Sequence, residues 1–124
     1  MYEREITGGI VEAASQVHKQ FGPGLLESVY EEAMFSEMPL QGLRVARQVP
    51  IPLFYKGRAL GNELRLDFLV EDRIIVELKA VATIADIHIA QAMTYLKLAG
   101  KRTCLIINFN VLHLRSGGLR RISL

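Results

Sequence analysis

Several features that identify common protein classes are scarce or absent in this chain of 124 residues. It has no tryptophan and one cysteine, Cys104, so an intramolecular disulfide and a four-cysteine zinc site are both excluded. No stretch approaches the roughly 18 consecutive apolar residues that a membrane span requires. The charged start Met1–Glu5 is not followed by the apolar segment of a signal peptide. The sequence therefore predicts a cytoplasmic protein with no membrane partner.

Net charge is also small, because 15 lysines and arginines stand against 13 acids, which leaves +2. A balance this even does not by itself indicate a nucleic-acid-binding protein. Hydrophobic residues make up 50% of the chain, which excludes intrinsic disorder and predicts one domain over residues 1–124. Cys104 lies in the apolar run Cys104-Leu105-Ile106-Ile107, which predicts a buried thiol rather than a catalytic one.

Three segments carry apolar residues at helical spacing. The first predicts a helix over Glu3–Phe21, which Gly22-Pro23-Gly24 ends. A second helix is predicted from about Leu26 to Met38. The third is predicted from about Ile84 to Ala99, with Gly100 in the position that closes a helix.

Between and after these helices the apolar residues alternate, which predicts strands. Val45–Tyr55 is predicted to be an edge strand, because Pro50 and Pro52 share one parity and disable only one side. On the next strand the alternation predicts one shared apolar face for Leu64, Leu66, Phe68 and Val70. The strands after the first are predicted at Asn62–Val70, Ile74–Ala80, Thr103–Asn108, Val111–Leu114 and, as a short last strand, Leu119–Leu124. The order α-α-β-β-β-α-β-β predicts an α/β (α+β) fold with a central mixed sheet flanked by helices.

Two acids and a lysine are predicted to share one face of this sheet. Glu77 and Lys79 are two residues apart in a strand, so both project from the same side. If Glu71-Asp72-Arg73 form the preceding loop, Asp67 falls directly opposite Glu77, with Cβ atoms about 5 Å apart. Two carboxylates and one ammonium group would then converge on one patch.

Two interpretations of this patch stay open on the residues alone. Lys79 can neutralise the acids in a structural ion-pair cluster. Alternatively, Asp67 and Glu77 offer oxygen ligands to a hard divalent cation such as Mg²⁺. Ile74-Ile75-Val76 is apolar on both parities, so Glu77 emerges from a buried strand, which favours the second interpretation. Two acids, a lysine and a metal are the minimal set for metal-assisted phosphodiester hydrolysis.

Three motifs carry a resemblance to a known family. Asp67…Glu77-Leu78-Lys79, on two strands before a helix, resembles the PD-(D/E)XK nuclease superfamily, although Leu66 replaces the proline of that name. The segment Gly24-Leu25-Leu26-Glu27-Ser28-Val29-Tyr30 is similar to the GxxExxY signature of a small-protein family within it. Gln91-Ala92-Met93-Thr94-Tyr95 is similar to the Q-x-x-x-Y element of the helicase-associated exonuclease branch. The resemblance implies a restriction-endonuclease-like core.

The resemblance also implies a role for each candidate site residue. Asp67 and Glu77 would hold Mg²⁺ or Mn²⁺, with Glu27 as an additional acid towards the metal, and Lys79 would assist the attacking water. The substrate would be a nucleic acid, DNA or RNA. Four further residues would line the site or contact the substrate, Gln91 also taking part in catalysis: Gln91, Tyr95, His88 and Tyr30. Tyr30 would alternatively be a packing residue whose hydroxyl supports the site.

Other functions stay open at this point. The small net charge fits a catalytically inactive nuclease-fold module that binds nucleic acid or a protein partner. A purely structural protein would carry the charged trio only as an ion cluster. Because a minimal core gains basic surface by pairing, a homodimer is a further hypothesis.

Overall fold

The computed structural model describes residues 1–124 and begins with two packed helices. Helix α1, Glu3–Phe21, buries one stripe of apolar side chains, and Gly22 ends it at a φ of 66°, where glycine is favoured. Helix α2, Glu27–Leu40, buries Tyr30, Met34 and Met38 at a spacing of four residues, so one face meets the core. Both predicted helices are therefore confirmed.

A five-stranded sheet lies against these helices in the order β1-β2-β3-β4-β5. Neighbouring strands are antiparallel except β3 and β4, which are parallel and joined by helix α3, Asp86–Ala99. Gly100 ends α3 in the left-handed conformation, as predicted. None of the helices is both long and apolar enough to cross a membrane. The strands are β1 Val45–Tyr55, β2 Arg58–Val70, β3 Ile74–Lys79, β4 Thr103–Asn108 and β5 Leu119–Ser123.

The sheet separates two hydrophobic clusters of unequal size. The larger contains α1, α2 and side chains such as Phe68, Val76 and Leu78. The smaller lies under α3 and contains Ile75 and Cys104, whose thiol is buried as predicted. The predicted central mixed sheet flanked by helices is confirmed. The apolar side chains of β3 and β4 face one cluster or the other.

The predicted strand Val111–Leu114 is wrong. The chain instead turns there and forms a short helix α4, Leu114–Gly117, before β5 begins. The apolar residues of this segment do not share a buried face, since Leu114 is buried while Leu112 is 81% exposed. A strand here could not pair with β4, because β4 already lies between β3 and β5. The short last strand, by contrast, is present as β5.

The prediction of one continuous apolar face on β2 is also wrong. Phe68 belongs to the larger cluster, whereas Leu66, two residues earlier, belongs to the smaller one. Opposite this point, Gln48 of β1 has a φ of 50° and leaves the ladder between the pairs Arg47–Phe68 and Val49–Leu66. The hairpin therefore exchanges its faces at Gln48 and Asp67, and regular alternation fails there.

Candidate active site

Strand register places Asp67 opposite Glu77. The ladder between β2 and β3 begins at Val70–Ile74 and its last pair is Phe68–Val76. Glu71 and Asp72 make the turn with φ values of 52° and 55°, and Arg73 completes it. The predicted three-residue loop and its register are thus confirmed, and the two acids occupy the first positions beyond the ladder.

The two carboxylates take the place of ladder hydrogen bonds where β2 and β3 separate. The amide of Asp67 donates to Oε2 of Glu77 at 2.8 Å. The amide of Leu78 donates to Oδ2 of Asp67, also at 2.8 Å. Each acid is therefore held through one oxygen by the backbone of the opposite strand. The other oxygens, Oδ1 of Asp67 and Oε1 of Glu77, make no hydrogen bond within the protein and are not sealed from solvent.

Burial makes a negative charge unfavourable on this pair. Glu77 is only 6% exposed, and this burial together with the charge of Asp67 raises its pKa to about 8. Burial also raises the pKa of Asp67, with the charge of Glu31 adding to it, against the opposing effect of the Leu78 amide. A cation between two buried acids would offset both their mutual repulsion and the cost of burying their charge.

Lys79 faces the same side of β3 as Glu77 and reaches helix α3. Its Nζ donates to Oε1 of Gln91 at 3.4 Å. Tyr95 lies one turn further along α3 and is partly buried. Burial raises the pKa of Tyr95, and the charges of Glu77 and Asp67 raise it further, which places its hydroxyl in their field. The polar stripe of α3, formed by Gln91 and Tyr95, is therefore directed at the acids and Lys79.

Glu27 stands at the start of α2, where burial and the charges of Asp67 and Lys79 affect its pKa. Burial raises its pKa, followed by the charge of Asp67, while Lys79 and the backbone amide of Ala80 lower it. No three His, Cys, Asp or Glu side chains form a group able to hold a metal ion together. The donor set is therefore the Asp67–Glu77 pair, and Mg²⁺ suits it, because this ion commonly binds one or two carboxylates and keeps several waters.

Two residues predicted to contact substrate have other partners. Tyr30 is fully buried and stacks on Phe109 with ring centroids 4.4 Å apart, so it lies in the core and not on the accessible surface. Its hydroxyl donates to the carbonyl of Gly22 at 2.6 Å and accepts from the amide of Leu25 at 3.1 Å. Nδ1 of His88 accepts from the amide of Ala85 at 2.9 Å, which caps the start of α3.

A neighbouring polar network corresponds to no sequence motif. Glu31 of α2 accepts from Nε2 of Gln48 and from NH2 of Arg47, both at 2.7 Å. The guanidinium of Arg47 also lies 4.7 Å from the ring centroid of Phe35. One signal was present, because Arg47 is the single charged residue at an apolar position of its strand. This network joins α2 to the hairpin beside Asp67.

Comparison with known proteins supports the superfamily assignment. The family model of the PD-(D/E)XK nuclease superfamily matches residues 4–122. The matched range includes both acids, the lysine and the polar stripe of α3. No curated protein and no solved structure shows significant similarity to the chain.

Proposed function

Because the chain belongs to the PD-(D/E)XK nuclease superfamily, we propose that it is a metal-dependent nuclease that hydrolyses phosphodiester bonds of DNA. The observation that carries the proposal is the pair Asp67 and Glu77, each fixed through one oxygen and free at the other. Lys79 on the same face completes the set. Restriction-endonuclease-like architecture and a superfamily of divalent-metal enzymes are consistent with it.

In this proposal the free oxygens of Asp67 and Glu77 hold Mg²⁺ or Mn²⁺. A bound ion would supply Lewis-acid stabilisation of charge on the scissile phosphate and would lower the pKa of the attacking water. Reciprocal backbone hydrogen bonds keep both carboxylates in place before the ion arrives, so little rearrangement is needed. Glu27, at the start of α2, is the proposed additional acid directed towards the ion.

Lys79 is proposed to orient the attacking water and to stabilise the charge that develops on phosphate oxygens. Gln91 accepts a hydrogen bond from its ammonium group and so restricts the positions that this group can take. Tyr95 would offer its hydroxyl to a phosphate oxygen from the same face of α3. The chain's own residues thus supply orientation and positive charge around the phosphate.

The narrower GxxExxY assignment is also part of the proposal. Gly24 has a φ of 101°, which favours glycine, and the Tyr30 hydroxyl ties together the loop that contains it. Glu27 follows this loop directly. The three motif positions, Gly24, Glu27 and Tyr30, therefore act together to position the carboxylate of Glu27. The preference for DNA over RNA is tested by a substrate panel, and the proposed homodimer and cytoplasmic location by light scattering and cell fractionation.

The decisive experiment compares cleavage of single-stranded, duplex and branched DNA and RNA with Mg²⁺ or Mn²⁺. Glu77→Gln and Lys79→Met should each lower the rate at least about 100-fold, because each removes charge from the reacting centre. Lys97→Met, which removes an exposed lysine from the far end of α3, is the matched control and should cleave normally. Cleavage that persists in both site variants, or that wild-type protein never shows, would refute the proposal.

Salt-dependent binding without any metal-dependent cleavage would instead support the inactive binding module.

A further inference from the structure

The distal half of the β1–β2 hairpin leaves the sheet as a two-stranded ribbon. Strand β1 pairs with β2 out to Tyr55–Arg58, but β3 pairs with β2 only from Phe68 onwards. The ribbon beyond Asp67 therefore has no third strand beside it. Phe54 and Tyr55 near its tip are 64% and 63% exposed.

The tip presents a basic and aromatic surface, here called the tip cluster: Tyr55, Lys56 and Arg58. Tyr55 and Arg58 are directly opposed, so their side chains leave the same face of the ribbon. The Nζ of Lys56 lies 5.4 Å from the Tyr55 ring centroid. Neither Lys56 nor Arg58 forms a salt bridge, and the chain has no acid from Val45 to Asn62. Positive charge on the ribbon is therefore not neutralised locally.

Two features decide between possible partners. Pro50 and Pro52 remain within the ladder with β2, so their missing N–H groups fall on the outer edge of β1. This edge cannot accept a strand from a second copy of the chain along that stretch. Unpaired lysine and arginine beside an exposed aromatic ring instead complement a polyanion that carries stacked bases.

We propose that the tip cluster binds the nucleic-acid substrate away from the reacting phosphate. Lys56 and Arg58 contact backbone phosphates, and Tyr55 stacks on an unpaired base. This inference rests on the proposed function, because it assumes that the carboxylate pair acts on the same nucleic acid. It explains how a chain with a net charge of only +2 holds a polyanion, because Lys56 and Arg58 lie in a projecting stretch, residues 45–62, that contains no acid.

Strand length sets the distance between this contact and the acids. Asp67 lies nine positions after Arg58 along β2, and at about 3.3 Å per residue the distance between them is at most about 30 Å. One turn of duplex DNA is about 34 Å long. The tip cluster therefore contacts the substrate up to nearly one helical turn from the bond that is cut.

Binding measurements without turnover test the proposal. Fluorescence anisotropy in EDTA would use forked DNA with a duplex longer than one turn and a single-stranded tail. Lys56→Ala/Arg58→Ala should weaken binding roughly ten-fold and lower the slope of log K against log salt by about two. Tyr55→Ala should weaken binding of the fork about five-fold or more, and change binding of blunt duplex little.

The matched control removes the same charges elsewhere. Lys97 and Arg102 are exposed, form no salt bridge, and lie near the start of β4, at the opposite end of the sheet from Glu77. Lys97→Ala/Arg102→Ala should bind DNA only slightly more weakly than wild type, and by the same factor for forked DNA and blunt duplex. Equal affinities and salt slopes for the two double variants would overturn the inference.

Three further outcomes separate the alternatives. A wild-type dimer that becomes monomeric in Tyr55→Ala, by light scattering, would identify the tip as a contact between copies and overturn the inference. Tip-dependent binding by a protein that never cleaves would support the inference and refute the proposed function. Cleavage that is lost in Glu77→Gln but unchanged in Lys56→Ala/Arg58→Ala would support the proposed function and overturn the inference.

Discussion

Glu77 illustrates how one residue can reduce stability in order to prepare a site. Its pKa is raised from 4.5 to about 8 by burial and by Asp67, so the folded protein holds a proton that the unfolded chain has lost. The free energy of unfolding therefore falls as pH rises between these two values. Glu77→Gln removes this penalty while its amide oxygen can still accept from the Asp67 amide. We expect the variant, without metal at pH 8, to melt at least about 4 °C above wild type.

The same variant should lose its response to metal. In the proposal Mn²⁺ binds the folded pair and not the unfolded chain, so it should raise the melting temperature of wild type and not of Glu77→Gln. Glu63→Gln, which changes an exposed acid of β2, is the control and should keep the wild-type response. Equal responses in Glu77→Gln and wild type would contradict metal binding at the pair.

Gln48 is a second residue whose role follows from its backbone. Its φ of 50° disfavours β-branched side chains, and its amide group contacts Glu31. Gln48→Val should lower the free energy of unfolding by about 1–3 kcal/mol, measured by urea denaturation. Gln48→Asn, which tolerates this conformation better, should lose much less. Equal losses for the two variants would show that the backbone conformation carries no strain.

Individual site residues were predictable to different degrees. Parity and loop length suffice to oppose Asp67 and Glu77, since both are local properties of one hairpin. The contact of Gln48 with Glu31 depends on how α2 packs across β1, which no local pattern encodes. The motif suggests that Tyr30 lines the site, whereas its helical spacing with Met34 indicates the buried packing role that the structure shows.

At the scale of elements, the loop between α1 and α2 depends on a buried hydroxyl. Tyr30→Phe keeps the ring stacked on Phe109 but leaves the Gly22 carbonyl and the Leu25 amide without their partner. We expect a loss of about 1–3 kcal/mol in urea denaturation, because both groups are partly buried. Amide hydrogen exchange at Leu25 should become faster. Unchanged exchange there would show that the loop is held by other contacts.

Elements were predicted well where the signal lay within them. Helices α1 and α3 carry their own stop signals in Gly22 and Gly100, and the prolines of β1 mark an edge. Val111–Leu114 has strand-like composition, but whether it forms a strand depends on a free neighbour in the sheet. The exchange of faces on β2 depends likewise on the conformation of Gln48 in another strand.

Across the whole molecule, acids with opposite pKa shifts define the pH of greatest stability. The amide and side chain of Arg44 lower the pKa of Glu71, and Arg47 lowers that of Glu32, so their contribution is lost as pH falls below 4.5. The contribution of Glu77 is lost as pH rises from 4.5 to about 8. We expect melting temperatures of the metal-free protein to peak near pH 5.

Saturating Mn²⁺ should move this peak towards neutral pH, because the cation favours ionised Glu77. A series of melting curves in buffers from acid to pH 8, with and without Mn²⁺, measures both effects. A peak that stays near pH 5 when metal is present would show that the acids are not its ligands.

The backbone hydrogen bonds to the two carboxylates give the molecule a built-in spectroscopic reporter. The amides of Asp67 and Leu78 donate to the acids rather than to carbonyls, so their proton chemical shifts respond to whatever else those acids bind. Titration of metal or protons can therefore be followed at two assigned amide peaks without any added label. A nuclear magnetic resonance experiment on the unmodified chain would read occupancy of each carboxylate separately.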